Sequence, residues 1–315
     1  DQQIQFDASD ENCVLKEGWA AYVQGTIREF PKCSAARVGF DAVIHGTIPL
    51  GSGLSSSASL ETAVATLLEQ MTGNELAALE KARLCQRAEN EHVGVSCGIL
   101  DQYSSIFGGD GAALLLDCRS LTHQPVSLPD DLSVVVVDTV VSRELAGSNY
   151  DLLREQCESA AEWFAGVDSS VETLRDVPLE MLERHGGGLP EEVRARARFI
   201  IEENLRVDAV AKAINGNDRT SIGELCAASF AGARDLFGIC VPEMETMFSA
   251  MVLSKGCVGC RQTGGGFGGG MIAFVDTPQV AAFCEEVVSR YRQATGIEAK
   301  SIPVNPGQPS GLLPI

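Results

Sequence analysis

The segment at residues 49–59 reads Pro-Leu-Gly-Ser-Gly-Leu-Ser-Ser-Ser-Ala-Ser, and it is the most informative part of the chain. Its glycines, Gly51 and Gly53, allow a tight turn and let a ligand approach the backbone amides closely. Residues 58–71 behind it are predicted to form a helix, whose unpaired amides and positive dipole end favour an anion in the loop. Residues 38–46 before it alternate as a strand does. Strand, Gly/Ser loop and helix in this order are the setting of a phosphate-binding motif.

An ordinary loop with a serine N-cap is the alternative, and the length and order of the pattern argue against it. The pattern Pro-x-Gly-x-Gly-Leu-Ser-Ser-Ser-Ala closely resembles the phosphate loop of the GHMP kinases, the superfamily of galactokinase, homoserine kinase and mevalonate kinase. The dipeptide Gly-Lys never occurs in the chain, which excludes a lysine-based P-loop kinase. The resemblance implies that the ATP phosphates contact Gly51, Ser52, Gly53, Leu54, Ser55, Ser56 and Ser57.

Composition limits the class of protein. A chain of 315 residues has the length of two domains, and its apolar runs, such as Val134–Val137, are far too short to span a membrane. The formal net charge of −19 argues against nucleic acid and against anionic membrane surfaces as partners. Eleven scattered cysteines without a signal peptide indicate free thiols in a reducing cytoplasm. A bound nucleotide must therefore find positive potential locally, from amides, a few basic residues and a metal ion.

A second motif narrows the resemblance. Residues 88–102 read Ala-Glu-Asn-Glu-His-Val-Gly-Val-Ser-Cys-Gly-Ile-Leu-Asp-Gln, which resembles the galactokinase segment Ala-Glu-His-x-x-x-Gly-x-x-Cys-Gly-x-x-Asp-Gln. Residues 113–121, Ala-Leu-Leu-Leu-Asp-Cys-Arg-Ser-Leu, also match galactokinases rather than the superfamily at large. The chain is thereby identified as similar to the galactokinase family.

Glu89 has two interpretations that the sequence leaves open. It follows Cys85 by one turn in a helix predicted for residues 75–92, so it borders the buried stripe of that helix. A carboxylate in such a position needs a partner, because an unpaired buried charge is costly. The partner is either a basic side chain, Arg87 or Lys81, in a structural ion pair, or a metal ion.

The resemblance implies ATP-dependent phosphorylation of the C1 hydroxyl of α-D-galactose, the step of the Leloir pathway of galactose metabolism that gives galactose 1-phosphate and ADP. Asp101 matches the catalytic aspartate, the proposed base for that hydroxyl. Ser57 and Glu89 match the Mg²⁺ ligands, and few hard oxygen ligands are what Mg²⁺ prefers. Gly98 and Tyr150 match sugar contacts, together with Asp101.

Trp19 and Tyr22 form an aromatic pair three residues apart in a predicted helix. The ordinary interpretation of such a pair is a core contact. In galactokinases a similar Trp-x-x-Tyr segment lies beside the adenine, so the resemblance makes both residues candidates for the adenine side of the nucleotide site.

A third motif lies at residues 259–270, Gly-Cys-Arg-Gln-Thr-Gly-Gly-Gly-Phe-Gly-Gly-Gly. As text it contains the dinucleotide-binding pattern G-x-G-x-x-G, but residues 271–275 read as a strand rather than a helix, which argues against dinucleotide binding. The run resembles the GHMP motif that closes over the phosphate loop. The glycines implied in this closing loop are Gly264, Gly265, Gly266 and Gly268.

The family implies an α+β architecture, the two-domain GHMP kinase fold, with a ribosomal-protein-S5-domain-2-like N-terminal lobe and a ferredoxin-like helical C-terminal lobe. We expect the first lobe at residues 1–131 and the second at residues 132–315, because residues 134–138 read as a buried strand and the part that follows, up to residue 254, reads as mainly helical. Galactokinases also carry an N-terminal segment with a transition-state arginine, and nothing here resembles it. Since residue 1 is Asp and residues 3–6 already alternate like a strand, we expect that segment upstream and impaired activity without it.

Two other functions stay open at this point. One is a sensor that binds galactose and ATP without catalysis, although such relatives tend to be altered in the serine loop, which is intact here. The other is a GHMP kinase that acts on a different sugar.

Overall fold

The computed structural model describes residues 2–7, 18–31, 39–48, 53–95, 97–109, 111–141 and 146–313. Its contacts divide the chain into a first unit, residues 1–50, 54–125 and 306–315, and a second unit, residues 51–53 and 126–305. The lobe boundary expected between residues 131 and 132 stays a prediction. Among the described helices, none combines the length and the apolar character that crossing a bilayer requires.

The first unit is mainly helical. Its elements are α1 (Trp19–Glu29), α2 (Ser56–Thr72), α3 (Ala78–Arg87), α4 (Leu100–Phe107) and the paired strands β1 (Ala112–Asp117) and β2 (Thr122–Ser127), the last of which runs into the second unit. The helix predicted behind the Gly/Ser loop is confirmed as α2, and Gly73 ends it in the left-handed conformation, at φ 67°. Val64, Ala65 and Leu68 of α2 pack with Leu84 of α3 in the core of this unit.

The α-helical hydrogen bonding of α3 ends at Arg87, but the helical path continues beyond it. It continues into a π-helical turn, Ala88–Val93, against which α1 packs closely. Gly25 is what allows this approach, because a Cβ there would lie 3.0 Å from the Ala88 carbonyl oxygen and 3.0 Å from the His92 Cβ. Helix α1 therefore packs against the π-helical turn at close backbone contact.

The second unit is built on an antiparallel sheet covered by helices. Its strands are β3 (Leu132–Asp138), β4 (Cys257–Gln262), β5 (Gly270–Asp276) and β6 (Lys300–Val304), in the order β4-β5-β3-β6. Its helices are α5 (Ala146–Ala165), α6 (Leu179–His185), α7 (Glu191–Asn215), α8 (Arg219–Gly232), α9 (Pro242–Val252) and α10 (Val280–Thr295). The buried strand and the helical half expected after residue 132 are both confirmed. Val135 and Ala273 pair across the sheet and pack in its core with Met247 and Phe283.

Two strand predictions are wrong. Residues 2–7 and 39–47 of the described chain adopt no strand, and 39–47 are exposed, with Val43 98% accessible. Alternation of apolar and polar residues produces a strand only where a neighbouring strand completes the backbone hydrogen bonds and a core covers one face. Among the described residues, neither segment has a pairing strand, and residues 39–47 have no core cover, although Phe6 of the first segment packs against the core of the first unit.

Candidate active site

The described part of the phosphate loop leads directly into α2. Pro49, Leu50, Gly51 and Ser52 lie outside the described residues, whereas Gly53 to Ser57 are described. Gly53 and the helix N-cap Ser55 both adopt left-handed backbone conformations, at φ 78° and φ 57°. For a serine this conformation is strained, and such strain concentrates at ligand-binding sites. The N-terminal amides of α2 follow at once, as an anion site requires.

Glu89 lies at the start of the π-helical turn and is nearly fully buried. Its carboxylate accepts hydrogen bonds from the Ser57 hydroxyl, from Gln102 Nε2 at 2.7 Å and from Cys97 Sγ at 3.5 Å. Ser57 and Glu89, the two side chains that the resemblance implies as Mg²⁺ ligands, are thus in direct contact. Isolated π turns inside α-helices are frequent at functional sites, because the extra residue redirects the side chains that follow.

The structure decides against the ion-pair interpretation of Glu89. Arg87 Nε donates to Glu29 at 2.8 Å, and Lys81 Nζ lies 2.6 Å from Glu69 Oε2. Both basic side chains proposed as partners are therefore engaged by other carboxylates. Among the described residues, Glu89 has hydrogen-bond donors but no cationic partner.

Glu61 is the residue that reasoning from the sequence missed. It follows Ser57 by one turn of α2, is completely buried, and accepts a hydrogen bond from Gln102 Nε2 at 3.1 Å. Burial, and then the charge of Glu89, raises the pKa of Glu61 to about 8. The available signal was a glutamate on the apolar face of α2, four residues after Ser57, because burying a carboxyl group without a charged partner is costly.

Burial also raises the pKa of Glu89, although the hydrogen bonds from Cys97, Ser57 and Gln102 oppose the shift. The negative charge of Asp101 acts in the same direction as burial. A divalent cation would offset this crowding of carboxylates, and hard oxygen ligands suit Mg²⁺. Glu61 Oε1 is buried without a hydrogen-bond partner in the described chain, so one oxygen of this carboxyl group is left unsatisfied. The donor set therefore fits a magnesium ion.

Asp101 lies in the first turn of α4, half-buried, next to Gln102. Gly98 precedes that helix on an exposed turn, and a Cβ there would meet no atom within 4 Å. The negative charge of Asp101 raises the pKa of Glu89, and the backbone at Gly98 has open space beside it. Tyr150 belongs to the second unit, where its ring is 42% exposed and Gly265 lies beside it, at 3.8 Å for an added Cβ.

The aromatic pair of α1 has two different environments. Trp19 is partly exposed and donates from Nε1 to Gln2 Oε1 at 2.9 Å. Burial, and then the charges of Glu89 and Glu61, raises the pKa of Tyr22. Tyr22 therefore lies with the buried carboxylates, and the contact of both residues with adenine stays a prediction.

The loop of residues 263–269 joins β4 to β5, so the prediction that a strand follows the glycines is confirmed. Gly264, Gly266, Gly268 and Gly269 all have positive φ. A Cβ at Gly266 would lie 2.6 Å from the Ile239 carbonyl oxygen. A side chain at position 266 would be strained by the left-handed conformation and would clash with this carbonyl oxygen, so this position of the loop requires glycine.

Comparison with known proteins is consistent with this geometry. The description "GHMP kinases N terminal domain" matches residues 21–109, and "GHMP kinases C terminal" matches residues 210–293. Lactococcus lactis galactokinase, crystallised with galactose, is 32% identical, with a TM-score of 0.86 over 96% of this chain and 80% of that one. Streptococcus pneumoniae phosphomevalonate kinase is 11% identical, with a TM-score of 0.57 over 92% of this chain and 83% of that one, and shares the fold.

Proposed function

This chain belongs to the GHMP kinases, and from that premise we propose that it transfers the γ-phosphoryl group of ATP to the C1 hydroxyl of α-D-galactose. The products are galactose 1-phosphate and ADP. The observation that carries the proposal is the similarity of nearly the whole chain to a galactokinase whose structure holds galactose. The intact serine loop before α2 supports catalysis rather than sensing alone.

Phosphoryl transfer depends on positioning and on stabilisation of charge, with a carboxylate to orient or deprotonate the nucleophile. We assign that carboxylate to Asp101, which lies in the first turn of α4 beside the exposed Gly98 turn. It would accept the proton of the sugar hydroxyl as the phosphoryl group is transferred. Backbone amides at the start of α2 would hold the phosphates.

Ser57 and Glu89 would hold Mg²⁺, because their oxygen atoms meet at a buried point that lacks a basic partner among the described residues. When bound, the ion neutralises negative charge on the ATP phosphates. We assign Gly98 and Tyr150 to the sugar, Trp19 and Tyr22 to the adenine side, and the closing loop to Gly264, Gly265, Gly266 and Gly268.

A substrate panel tests the proposal. ADP release by the full-length protein is measured with ATP, Mg²⁺ and one acceptor at a time: galactose, other hexoses, mevalonate or homoserine. We expect galactose to give the highest kcat/KM and a product phosphorylated at C1. Preference for another acceptor would indicate a different kinase of the family. Galactose and ATP binding by calorimetry without ADP release would indicate a sensor.

A further inference from the structure

The side-chain amide of Gln102 joins two carboxylates. Gln102 is fully buried in α4, and its Nε2 donates at 2.7 Å to Glu89 Oε2 and at 3.1 Å to Glu61 Oε2. An amide nitrogen carries two hydrogens, so these two short contacts match its donor capacity, and Cys97 Sγ lies farther away, at 3.8 Å. The orientation of Gln102 is therefore fixed by Glu61 on one side and fixes Glu89 on the other.

Glu61 has no other polar contact in the part of the chain that the structure describes. Its Oε2 accepts only from Gln102, and its Oε1 is buried without a partner. Packing alone does not account for such a residue, because a leucine of similar size would fill the position without burying a carboxyl group. What the carboxyl group provides is an acceptor for the Gln102 amide.

The three residues come from three different elements. Glu61 lies on α2 one turn after Ser57, Gln102 lies on α4 next to Asp101, and Glu89 lies on the π-helical turn after α3. The hydrogen bonds Ser57–Glu89, Glu89–Gln102 and Gln102–Glu61 thus tie the elements together at the carboxylate that would bind the metal. Groups that hydrogen-bond to a metal ligand orient it and tune its affinity for the metal.

We propose that Glu61 and Gln102 are positioning residues that hold the Glu89 carboxylate in the orientation required for binding a divalent cation. This inference rests on the proposed role of Glu89 as a metal ligand. In this arrangement Glu61 orients the Gln102 amide, and the amide orients the Glu89 carboxylate.

The test measures binding of Mn²⁺ to the protein in the presence of ADP, followed by the paramagnetic resonance signal of free Mn²⁺. Glu61→Leu removes the acceptor for the amide, and we expect about 10-fold weaker Mn²⁺ binding. Glu61→Gln keeps an acceptor oxygen, and we expect it to restore binding to within about 3-fold of wild type. Glu69→Leu, a buried glutamate two turns along the same helix, is the matched control and should leave Mn²⁺ binding unchanged.

Wild-type binding by Glu61→Leu, or an equal loss in Glu69→Leu, would overturn the inference. If Glu61→Leu does not fold, Gln102→Met is measured in the same way, with the same 10-fold loss expected on the same ground; an unchanged titration would overturn the inference as well. The binding assay contains no sugar, so its result remains valid even if the protein does not phosphorylate galactose. If wild type binds no Mn²⁺ with ADP, the metal role of Glu89 fails and the inference fails with it.

Discussion

We expect Glu61→Gln to stabilise the first unit at neutral pH, and the gain to grow as the pH rises. Glu61 is completely buried, and burial followed by the charge of Glu89 raises its pKa from 4.5 to about 8. A carboxyl group with a higher pKa in the folded state binds its proton more tightly there. The stability that Glu61 contributes by binding its proton in the folded state is fully present below pH 4.5 and is lost as the pH rises through 8.

The size of the effect follows from the shift. A rise of this extent lowers the free energy of unfolding by about 3 kcal/mol at pH 7, relative to the pH at which Glu61 is protonated in both states. Glutamine does not ionise, so the free energy of unfolding of the variant does not fall in this way as the pH rises. The difference in unfolding free energy between Glu61→Gln and wild type should therefore grow by roughly 3 kcal/mol between pH 5 and pH 8.

The assay is urea unfolding followed by tryptophan fluorescence at several pH values. The chain has two tryptophans, Trp19 in the first unit and Trp163 in the second, so a Trp163→Phe background restricts the signal to the first unit. Glu69→Gln is the matched control, because Glu69 pairs with the nearly buried Lys81 and its loss should destabilise by about 3 kcal/mol. A difference between Glu61→Gln and wild type that stays constant from pH 5 to pH 8 would refute the reasoning.

Three further outcomes are expected. Asp101→Asn should lower kcat by ~10²–10⁴-fold with little change in ATP affinity, and near-normal turnover in a steady-state assay would remove Asp101 from the mechanism. Ser57→Ala and Glu89→Ala should each raise the Mg²⁺ concentration needed for half-maximal activity, and titrations that overlay wild type would place the metal elsewhere. Gly223→Ala puts a Cβ 2.5 Å from a carbonyl oxygen of β4 and should lower stability by ~1–3 kcal/mol in thermal unfolding, whereas Gly187→Ala, with no atom within 4 Å, should not.

The elements that the sequence predicted well are those whose signals are local. Helix α2 has an apolar face and a glycine at its end, and β3 contains four consecutive valines, so short-range rules suffice for both. The glycines of residues 263–269 were assigned to a loop before a strand because residues 271–275 have a strand composition. Each inference depends on neighbours within a few residues, and the structure agrees with each.

The features that the sequence did not predict depend on distant partners. Alternation in residues 38–46 predicts a strand, but whether a strand forms depends on a neighbouring strand that composition does not show. The π-helical turn after α3 has no sequence signal of its own, and it becomes visible only where α1 packs on it through Gly25. The contact of Glu61 with Glu89 through Gln102 joins residues up to 41 positions apart, so no motif could reveal it.

Burial of the Glu61 and Glu89 carboxyl groups lowers the stability of the protein, so stability alone does not explain why they are there. Glu61 and Glu89 share one amide donor, and Lys81 and Arg87, the basic residues considered as partners of Glu89, pair with other glutamates. In a chain with a formal net charge of −19, long-range potential does not offset this crowding. A metal–nucleotide complex would offset it, because the cation meets the carboxylates while the amides of α2 meet the phosphates. If Glu89 holds the cation as proposed, the same burial that destabilises the free protein would strengthen its preference for a cation-bound nucleotide, as expected where function rather than stability selects a residue.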